Sequence, residues 1–366
     1  MHKKKVILSG GGTGGHIFPA ISIARKLQEM LPDTEILFVG ARGKMEMEKV
    51  PLAGFKIEGL PVAGFHRRFT LKNLSFPFRL IASMFISNRI IKNFNPDLVI
   101  GTGGFASGPI VRAASKKGLP CLLQEQNAFP GITNRMLSGR VNTICVAHEG
   151  LERFFPPEKI VITGNPVRED IISNNTDRKN ALRYFELKDD KPVVLAFGGS
   201  LGARTINKAL KSGLESLASR GIRLIWQTGR DFFPEAKEAA ANIDSDAFRV
   251  YDFIQRMDLA YRAADVIVSR SGAISISELC IAGKPVLLVP YPFAAGDHQV
   301  KNSIALEKKN AALVVYDSNA ETSMIKELLG LIDNRELMGE MSVNIKALAK
   351  PDATINIAKE ALKLLK

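Results

Sequence analysis

Twice in this chain an aliphatic run of strand length ends abruptly in glycines and gives way to a segment of helical period. The first is VILSGGGTGGH, starting at Val6; the second is VLAFGGSLGAR, starting at Val194. Glycines between a strand and a helix let the backbone curl tightly against a bound group, and the helix N-terminus behind them favours negative charge. Each half repeats the device further on, as VIGTGGFASG and VIVSRSGAIS. Turns of this kind belong to βαβ units, and continuous aliphatic runs are the strands of parallel sheets covered on both faces. At 366 residues the chain is longer than the roughly 250–300 at which a single core stops growing. Two doubly wound α/β domains are therefore expected.

Short aliphatic runs alternate with amphipathic stretches throughout. They predict strands over Lys5–Ser9, Glu35–Val39, Leu98–Ile100, Pro120–Leu123 and Thr143–Val146 in the first half. In the second they predict Val193–Phe197, Arg223–Gln227, Phe248–Val250, Val266–Ser269, Val286–Val289 and Ala312–Val315. Helices are expected between them, among them Pro19–Met30, Ala203–Ser219 and Ser275–Ala282. Gly164-Asn165-Pro166 is a turn signal followed by a polar stretch, so the chain is divided there, into 1–165 and 166–350.

Lys and Arg outnumber Asp and Glu 22 to 11 in residues 1–165, but only 28 to 26 in the remainder. The first half carries nearly the whole positive field, and its partner should be anionic: a phosphate-rich ligand, an anionic membrane or nucleic acid. Nucleic acid fits worst, because no aromatic–basic motif accompanies the pI of about 9.6. Cys121, Cys145 and Cys280 sit in apolar runs without metal spacing and read as buried, reduced thiols. No run approaches the ~18 apolar residues of a membrane span, and the opening MHKKKVIL is too short for a signal peptide. A cytosolic, at most peripheral, protein is expected.

Gly10-x-Gly12-x-x-Gly15 also satisfies the dinucleotide fingerprint, which makes an NADP-dependent oxidoreductase the rival reading. That motif wants a carboxylate about 20 residues on, at the end of the second strand, to hold a ribose. Here the strand runs out as Phe38-Val39-Gly40-Ala41-Arg42, and one cofactor domain leaves the second pair of glycine turns unexplained. A lone histidine usually packs or caps, but His16 directly follows the first glycine turn. There its imidazole suits a general base for a sugar hydroxyl. Glu278 lies early in the helix after Ser269–Ser275, where it can accept from ribose hydroxyls or merely complement the helix dipole. Asp297-His298-Gln299 offers hydrogen-bonding groups of the kind sugars need. Asp244-Ser245-Asp246 imitates a DxD metal signature but precedes a strand, so it reads as a solvated turn and no metal is expected.

From Gly59 to Pro96 there is no acidic residue. Arg67, Arg68, Lys72, Arg79, Arg89 and Lys92 interleave with Leu71, Leu74, Phe76, Phe78, Leu80, Ile81, Met84 and Phe85. Cationic and apolar together suit an interfacial membrane patch, centred on Arg67, Arg68, Leu74, Phe76 and Phe78. Pro77 interrupts that stretch, and the aliphatics from Leu80 onward are expected to form the core face of a helix.

GGGTGGHIFPA, GTGGFASGP, EQNAFPG, GNPVR, GGSLGAR, SRSGAISISE and GDHQVKN follow one another in the order and spacing of the MurG family. Over nearly its whole length the chain resembles these bacterial N-acetylglucosaminyltransferases. The resemblance implies the GT-B fold: two Rossmann-like doubly wound domains facing across a cleft, with residues 351–366 packing back on the first as a final helix. It implies transfer of GlcNAc from UDP-GlcNAc to the C4 hydroxyl of MurNAc in undecaprenyl-diphosphate-MurNAc-pentapeptide, lipid I. The product would be the β-1,4-linked lipid II, made by inverting displacement without cofactor or metal. Thr13, Gly14, Gly15 and Asn127 would face the donor sugar, Arg168 and Ser200 its diphosphate, and Ile254 the uracil through its backbone. Glu278 would hold the ribose, Gln299 the GlcNAc hydroxyls, and Gly103, Gly104 and Ser107 the acceptor diphosphate. His16 would be the base. The expected location is the cytoplasmic side of the plasma (inner) membrane, held peripherally on an anionic surface, with room for partners among cell-wall synthesis proteins. A related transferase with another lipid or natural-product acceptor is the alternative. So is a nucleotide-sugar binder without catalysis, which would have no need of His16.

Overall fold

The computed structural model describes residues 3–62, 76–188, 190–199, 201–243 and 246–365. Arg67, Arg68, Leu74 and Ser200, singled out above, lie outside the described residues, as do Asp244 and Ser245. Two compact units make up the chain: Met1–Arg168 with Pro351–Lys366, and Glu169–Lys350.

The first unit holds a parallel sheet of β1 (Lys5–Gly10), β2 (Glu35–Ala41), β3 (Lys56–Leu60), β4 (Leu98–Gly103), β5 (Cys121–Glu125), β6 (Thr143–Val146) and β7 (Ile160–Ile162). Their order is β3-β2-β1-β4-β5-β6-β7. The second unit holds β8 (Val193–Phe197), β9 (Arg223–Gln227), β10 (Phe248–Tyr251), β11 (Val266–Ser269), β12 (Val286–Leu288) and β13 (Leu313–Val314). These run β10-β9-β8-β11-β12-β13, again all parallel. Both orders are the doubly wound one, in which the topology switches direction beside the first strand, between β1 and β4 and between β8 and β11. Ligands of such sheets sit outside the carboxyl ends of the strands at that switch point. The four glycine-bearing turns leave these four strands and no others, which places each pair at the ligand edge of its own sheet.

The eleven expected strands are all present, and two more were not foreseen. β3 carries Lys, Glu and Gly in five residues, and β7 is three residues long; both are sheet edges, where hydrophobic patterning is weakest. The first helix, Gly14–Met30, begins inside the glycine turn, five residues before the expected start at Pro19. Pro19 has no N–H to give the Gly15 carbonyl. The first turn is held from Thr13 instead, whose carbonyl accepts from His16 N at 3.1 Å and Ile17 N at 3.3 Å.

One face of the first sheet packs Ile7, Val39, Val99 and Leu123 under the helices Phe76–Phe94 and Ser107–Lys116. The other packs Val6, Leu8, Phe38 and Ile100 with the helix Gly14–Met30 and with Ile357, Ala358 and Ala361 of the helix Ala353–Leu364. The last element of the chain thus completes the core of the first unit. All three thiols are free and buried, and burial pushes Cys121 and Cys280 up to about 12, far from the thiolate range.

The helix Phe76–Phe94 corrects the sequence reading. Of the aliphatics expected in the core, Ile90 and Ile91 are buried there, but Leu80 and Ile81 are exposed, as are Phe85 and Phe78, the latter at 75%. Ser83 and Ser87 face inward. Ser83 satisfies its hydroxyl on the Arg79 carbonyl at 2.7 Å, and these small residues let the helix lie close against Ser107–Lys116. Phe78, Leu80, Ile81 and Phe85 are left outside with Arg79, Arg89 and Lys92. Pro77 stands in the first turn, where its missing N–H is tolerated, so it starts the helix instead of interrupting the segment.

If the helix Ala353–Leu364 completes the first core, Ile357→Ala should lower stability by about 2–4 kcal/mol, read from urea unfolding. Lys359→Ala, on the exposed side of the same helix, should stay within about 0.5 kcal/mol.

Candidate active site

The first unit's site begins with two turns whose backbones nearly touch. Gly104, with φ +76°, has no room for a side chain: a Cβ there would fall 2.1 Å from the Gly11 carbonyl oxygen. Beneath the first turn lies Glu46, fully buried. Its Oε1 and Oε2 accept from Gly12 N–H at 3.3 and 3.2 Å, and Oε1 accepts from Ala41 N–H at 3.0 Å. The amide that a phosphate-binding turn would offer at Gly12 is therefore taken by the protein's own carboxyl group. Those next along, at Thr13, Gly14 and Gly15, form the start of the helix. Thr13 is exposed and makes no side-chain cap.

His16 stands half-buried against the second turn, its ring alongside Gly103 and Gly104. Its Nδ1 lies 3.0 Å from the Thr102 carbonyl oxygen and 3.0 Å from Gln126 Oε1. A carbonyl oxygen can only accept, so Nδ1 carries the hydrogen, and in the neutral ring Nε2 holds the lone pair. Thr102 Oγ1 in turn donates to the His16 carbonyl at 2.7 Å, locking the helix start to the end of β4. This is the geometry of a base: one nitrogen anchored, the other basic.

Ser107 opens the helix Ser107–Lys116 but is buried, and its hydroxyl donates to the Gly104 carbonyl at 3.1 Å. It shapes the Gly103–Gly104 turn, and what it can offer a ligand directly is its place at a helix N-terminus. Asn127 is held by Glu125, whose Oε1 accepts from its backbone N–H at 3.0 Å and its Nδ2 at 3.2 Å. The Oε2 of Glu125 takes Gly131 N–H at 3.2 Å and Asn134 Nδ2 at 2.8 Å, so this one carboxyl organises the whole EQNAFPG turn. Arg168 is half-buried at the end of the first unit.

The second unit has its own close approach. Gly202, with φ +77°, would set a Cβ 1.9 Å from the Thr228 carbonyl oxygen. Gln227, at the end of β9, donates Nε2–H to the Gly199 carbonyl at 3.0 Å and accepts from Ile254 N–H at 2.9 Å. With its N–H engaged, Ile254 has its carbonyl oxygen to present to a donor. Glu278, half-buried on the helix Ala273–Ala282, accepts from the hydroxyl of Tyr261 at 3.0 Å. Gln299 accepts from Tyr291 N–H through Oε1 at 3.0 Å, so its NH₂ is the end available to an oxygen. Ser271 ties that turn to the same residue, donating to the Gln299 carbonyl at 2.8 Å.

Residues 6–146 match the glycosyltransferase family 28 N-terminal domain, and residues 193–357 match its C-terminal domain. The chain belongs to glycosyltransferase family 28. A relative from Christiangramia forsetii, named UDP-N-acetylglucosamine--N-acetylmuramyl-(pentapeptide) pyrophosphoryl-undecaprenol N-acetylglucosamine transferase, is 50% identical over 361 residues, 99% of this chain and 98% of that one. A protein of the same name from Cytophaga hutchinsonii is 48% identical, covering 99% of this chain and 97% of its own. Among solved structures, Acinetobacter baumannii MurG is similar at a TM-score of 0.79 and 30% identity, covering 98% of this chain and 99% of that one. The MurG resemblance carried by the seven sequence motifs is thus a family membership.

The sequence motifs singled out His16 and the glycine turn before it but passed over what holds them. Glu46, Thr102, Glu125, Gln126, Gln227 and Tyr261 were missed. Thr102, Glu125 and Gln126 lie inside quoted motifs, where their place could have marked them; Glu46, Gln227 and Tyr261 lie in none. Glu46→Ala, which leaves the buried Gly12 and Ala41 amides unpaired, should cost about 2–4 kcal/mol of stability and lower kcat/KM at least tenfold. Glu46→Gln, which keeps one accepting oxygen, should do less than half of this; urea midpoints and initial rates decide.

Proposed function

We propose that this glycosyltransferase moves GlcNAc from UDP-GlcNAc onto the C4 hydroxyl of MurNAc in undecaprenyl-diphosphate-MurNAc-pentapeptide, with His16 as the base. The observation that carries the reading is the anchored imidazole: Nδ1 tied to the Thr102 carbonyl, Nε2 left basic at a doubly wound switch point. The acceptor oxygen attacks C1 of the sugar from the side opposite UDP. The C1–O bond to the diphosphate breaks, UDP leaves with the electron pair, and the hydroxyl proton passes to Nε2. Configuration at C1 inverts, which gives the β-1,4 linkage.

The Gly103–Gly104 turn and the helix N-terminus at Ser107 take the acceptor diphosphate through amides and the helix dipole. Thr13, Gly14, Gly15 and Asn127 border the donor sugar, and Arg168 and Ser200 take up charge on the departing diphosphate. Ile254 meets the uracil through its carbonyl, Glu278 the ribose hydroxyls, and the Gln299 NH₂ a hydroxyl of GlcNAc. The names of the relatives, which specify the same sugar and a pyrophosphoryl-undecaprenol acceptor, support this assignment.

Such an acceptor never leaves the bilayer, so the enzyme works as a peripheral protein at the cytoplasmic face of the inner membrane. Among the described residues no helix is long and apolar enough to cross a membrane. The helix Phe76–Phe94 is the docking element, presenting Phe78, Ile81 and Phe85 to lipid with Arg79, Arg89 and Lys92 around them. Arg67, Arg68, Leu74 and Phe76 belong to the patch on sequence grounds. Each basic residue near an anionic surface adds about 1 kcal/mol, enough for reversible docking and weakened by salt.

Incubation with UDP-GlcNAc and lipid I should yield a product heavier by one GlcNAc residue, read by mass. His16→Ala should cut turnover by about 10²–10⁴-fold while UDP affinity stays within about threefold; near-normal turnover would refute the base. Phe78→Ser with Phe85→Ser should weaken binding to anionic vesicles at raised salt yet spare turnover of a short-chain, water-soluble acceptor. Undiminished vesicle binding by that variant would place the membrane contact elsewhere.

A further inference from the structure

We propose that Gln126 is a positioning residue for His16, its side-chain amide selecting the imidazole tautomer that leaves Nε2 basic. The inference rests on the base assignment above and deepens it. Gln126, buried at 1% exposure just past β5, sets Oε1 3.0 Å from His16 Nδ1. Its Nε2 donates to the Thr102 carbonyl oxygen at 2.7 Å, the other acceptor of the same ring nitrogen. One amide therefore supplies one acceptor and holds the second in place.

The amide can stand only one way round. Its Nε2 also faces the Gln124 carbonyl at 3.3 Å and Gln124 Oε1, so a flipped amide would set oxygen against three acceptors. The orientations of its neighbours follow from the backbone. Asn165 donates Nδ2–H to the Gln126 carbonyl at 3.1 Å, which turns Asn165 Oδ1 toward Gln124 Nε2 at 3.0 Å. That bond in turn aims Gln124 Oε1 at Gln126. A closed chain of three amides thus fixes the atom that His16 Nδ1–H meets.

Among the described residues, the groups that meet the ring or stand beside it are uncharged: Thr102, Gly103 and Gly104 at the end of β4 and just after it, Gln124 and Gln126 at the end of β5 and just after it, and Asn134 from the helix Ile132–Leu137. The carboxyl groups of the adjoining loops are bonded elsewhere, Glu46 to Gly12 and Ala41, Glu125 to Asn127, Gly131 and Asn134. A neutral acceptor is what a base needs at this place. A carboxylate would favour the charged ring, which cannot accept a proton. With the amide gone, only the Thr102 carbonyl, itself released from its Gln126 donor, is left to hold the hydrogen on Nδ1, and whatever share moves to Nε2 leaves the wrong nitrogen basic.

The test compares Gln126→Glu and Gln126→Leu with the parent by two readouts: nitrogen NMR of the His16 ring in the free protein, assigned with His16→Gln, and the pH profile of kcat/KM. The parent's neutral ring should carry its hydrogen on Nδ1. Gln126→Glu should raise the ring's titration midpoint. Because the base acts when neutral, the acid limb of kcat/KM should then move up by about one pH unit. Gln126→Leu removes an acceptor that binds the charged ring more strongly than the neutral one, so the midpoint should fall. The hydrogen should also move toward Nε2, and plateau kcat should drop about tenfold or more with the donor KM within about twofold. Opposite displacements by the two variants are not what a merely structural role produces. Hydrogen on Nε2 in the parent, or a ring that neither variant moves, overturns the proposal. A ring that responds as expected while the acid limb stays in place upholds Gln126 and removes His16 as the base. Circular dichroism reports folding, and should the Leu variant unfold, the Glu variant decides alone.

Discussion

The close approach of the Gly11 carbonyl to Gly104 is the backbone constraint around which the first unit's site is arranged. It is possible only because β1 and β4 are neighbours at a switch point, so that turns leaving the two strands start side by side. With the turns in contact, Thr102 reaches across both, giving its hydroxyl to His16 and accepting His16 Nδ1–H on its carbonyl. The imidazole is thereby held from its main chain and its side chain at once. In the second unit a close approach also occurs, Gly202 against Thr228, but it lies between β8 and β9, beside the switch point and not at it.

The electrostatics of this arrangement work on two scales. At long range the first half carries the protein's positive excess, which draws anionic molecules and surfaces. At short range, described groups around His16 are neutral amides and carbonyls, and the carboxyl groups nearby are satisfied by backbone amides. A ring in such a place feels dipoles more than charges. The buried carboxyl of Glu46 has a further effect, since it occupies the Gly12 amide and keeps it from any ligand.

Fold class was legible because parallel strands and glycine turns write themselves as contiguous runs, and eleven strands could be read that way. β3 and β7 were not, since edge strands are short and need little apolar patterning. The helix Phe76–Phe94 was misread for a related reason. Hydrophobic residues were assigned to the core, yet its inner face is made of Ser83 and Ser87 above Ile90 and Ile91. Side-chain size decided the packing there, and an exposed apolar face looks like a core in a linear sequence. At the site His16 could be read from its place after the glycines. Gln126 and Glu46 act through the orientation of a side chain in three dimensions, which spacing alone does not encode.

The helix Ala353–Leu364 closes the first unit, although the whole second unit lies between it and the rest of that core. During synthesis, Glu169–Lys350 leaves the ribosome complete and able to collapse on its own Trp226-centred core. The earlier-made unit meanwhile waits with the side of the helix Gly14–Met30 that meets Ala353–Leu364 uncovered. Order of emergence and order of completion are therefore reversed. The nascent chain carries an unfinished, sticky first unit for the time taken to translate about half the protein, which is the interval in which a chaperone has something to hold.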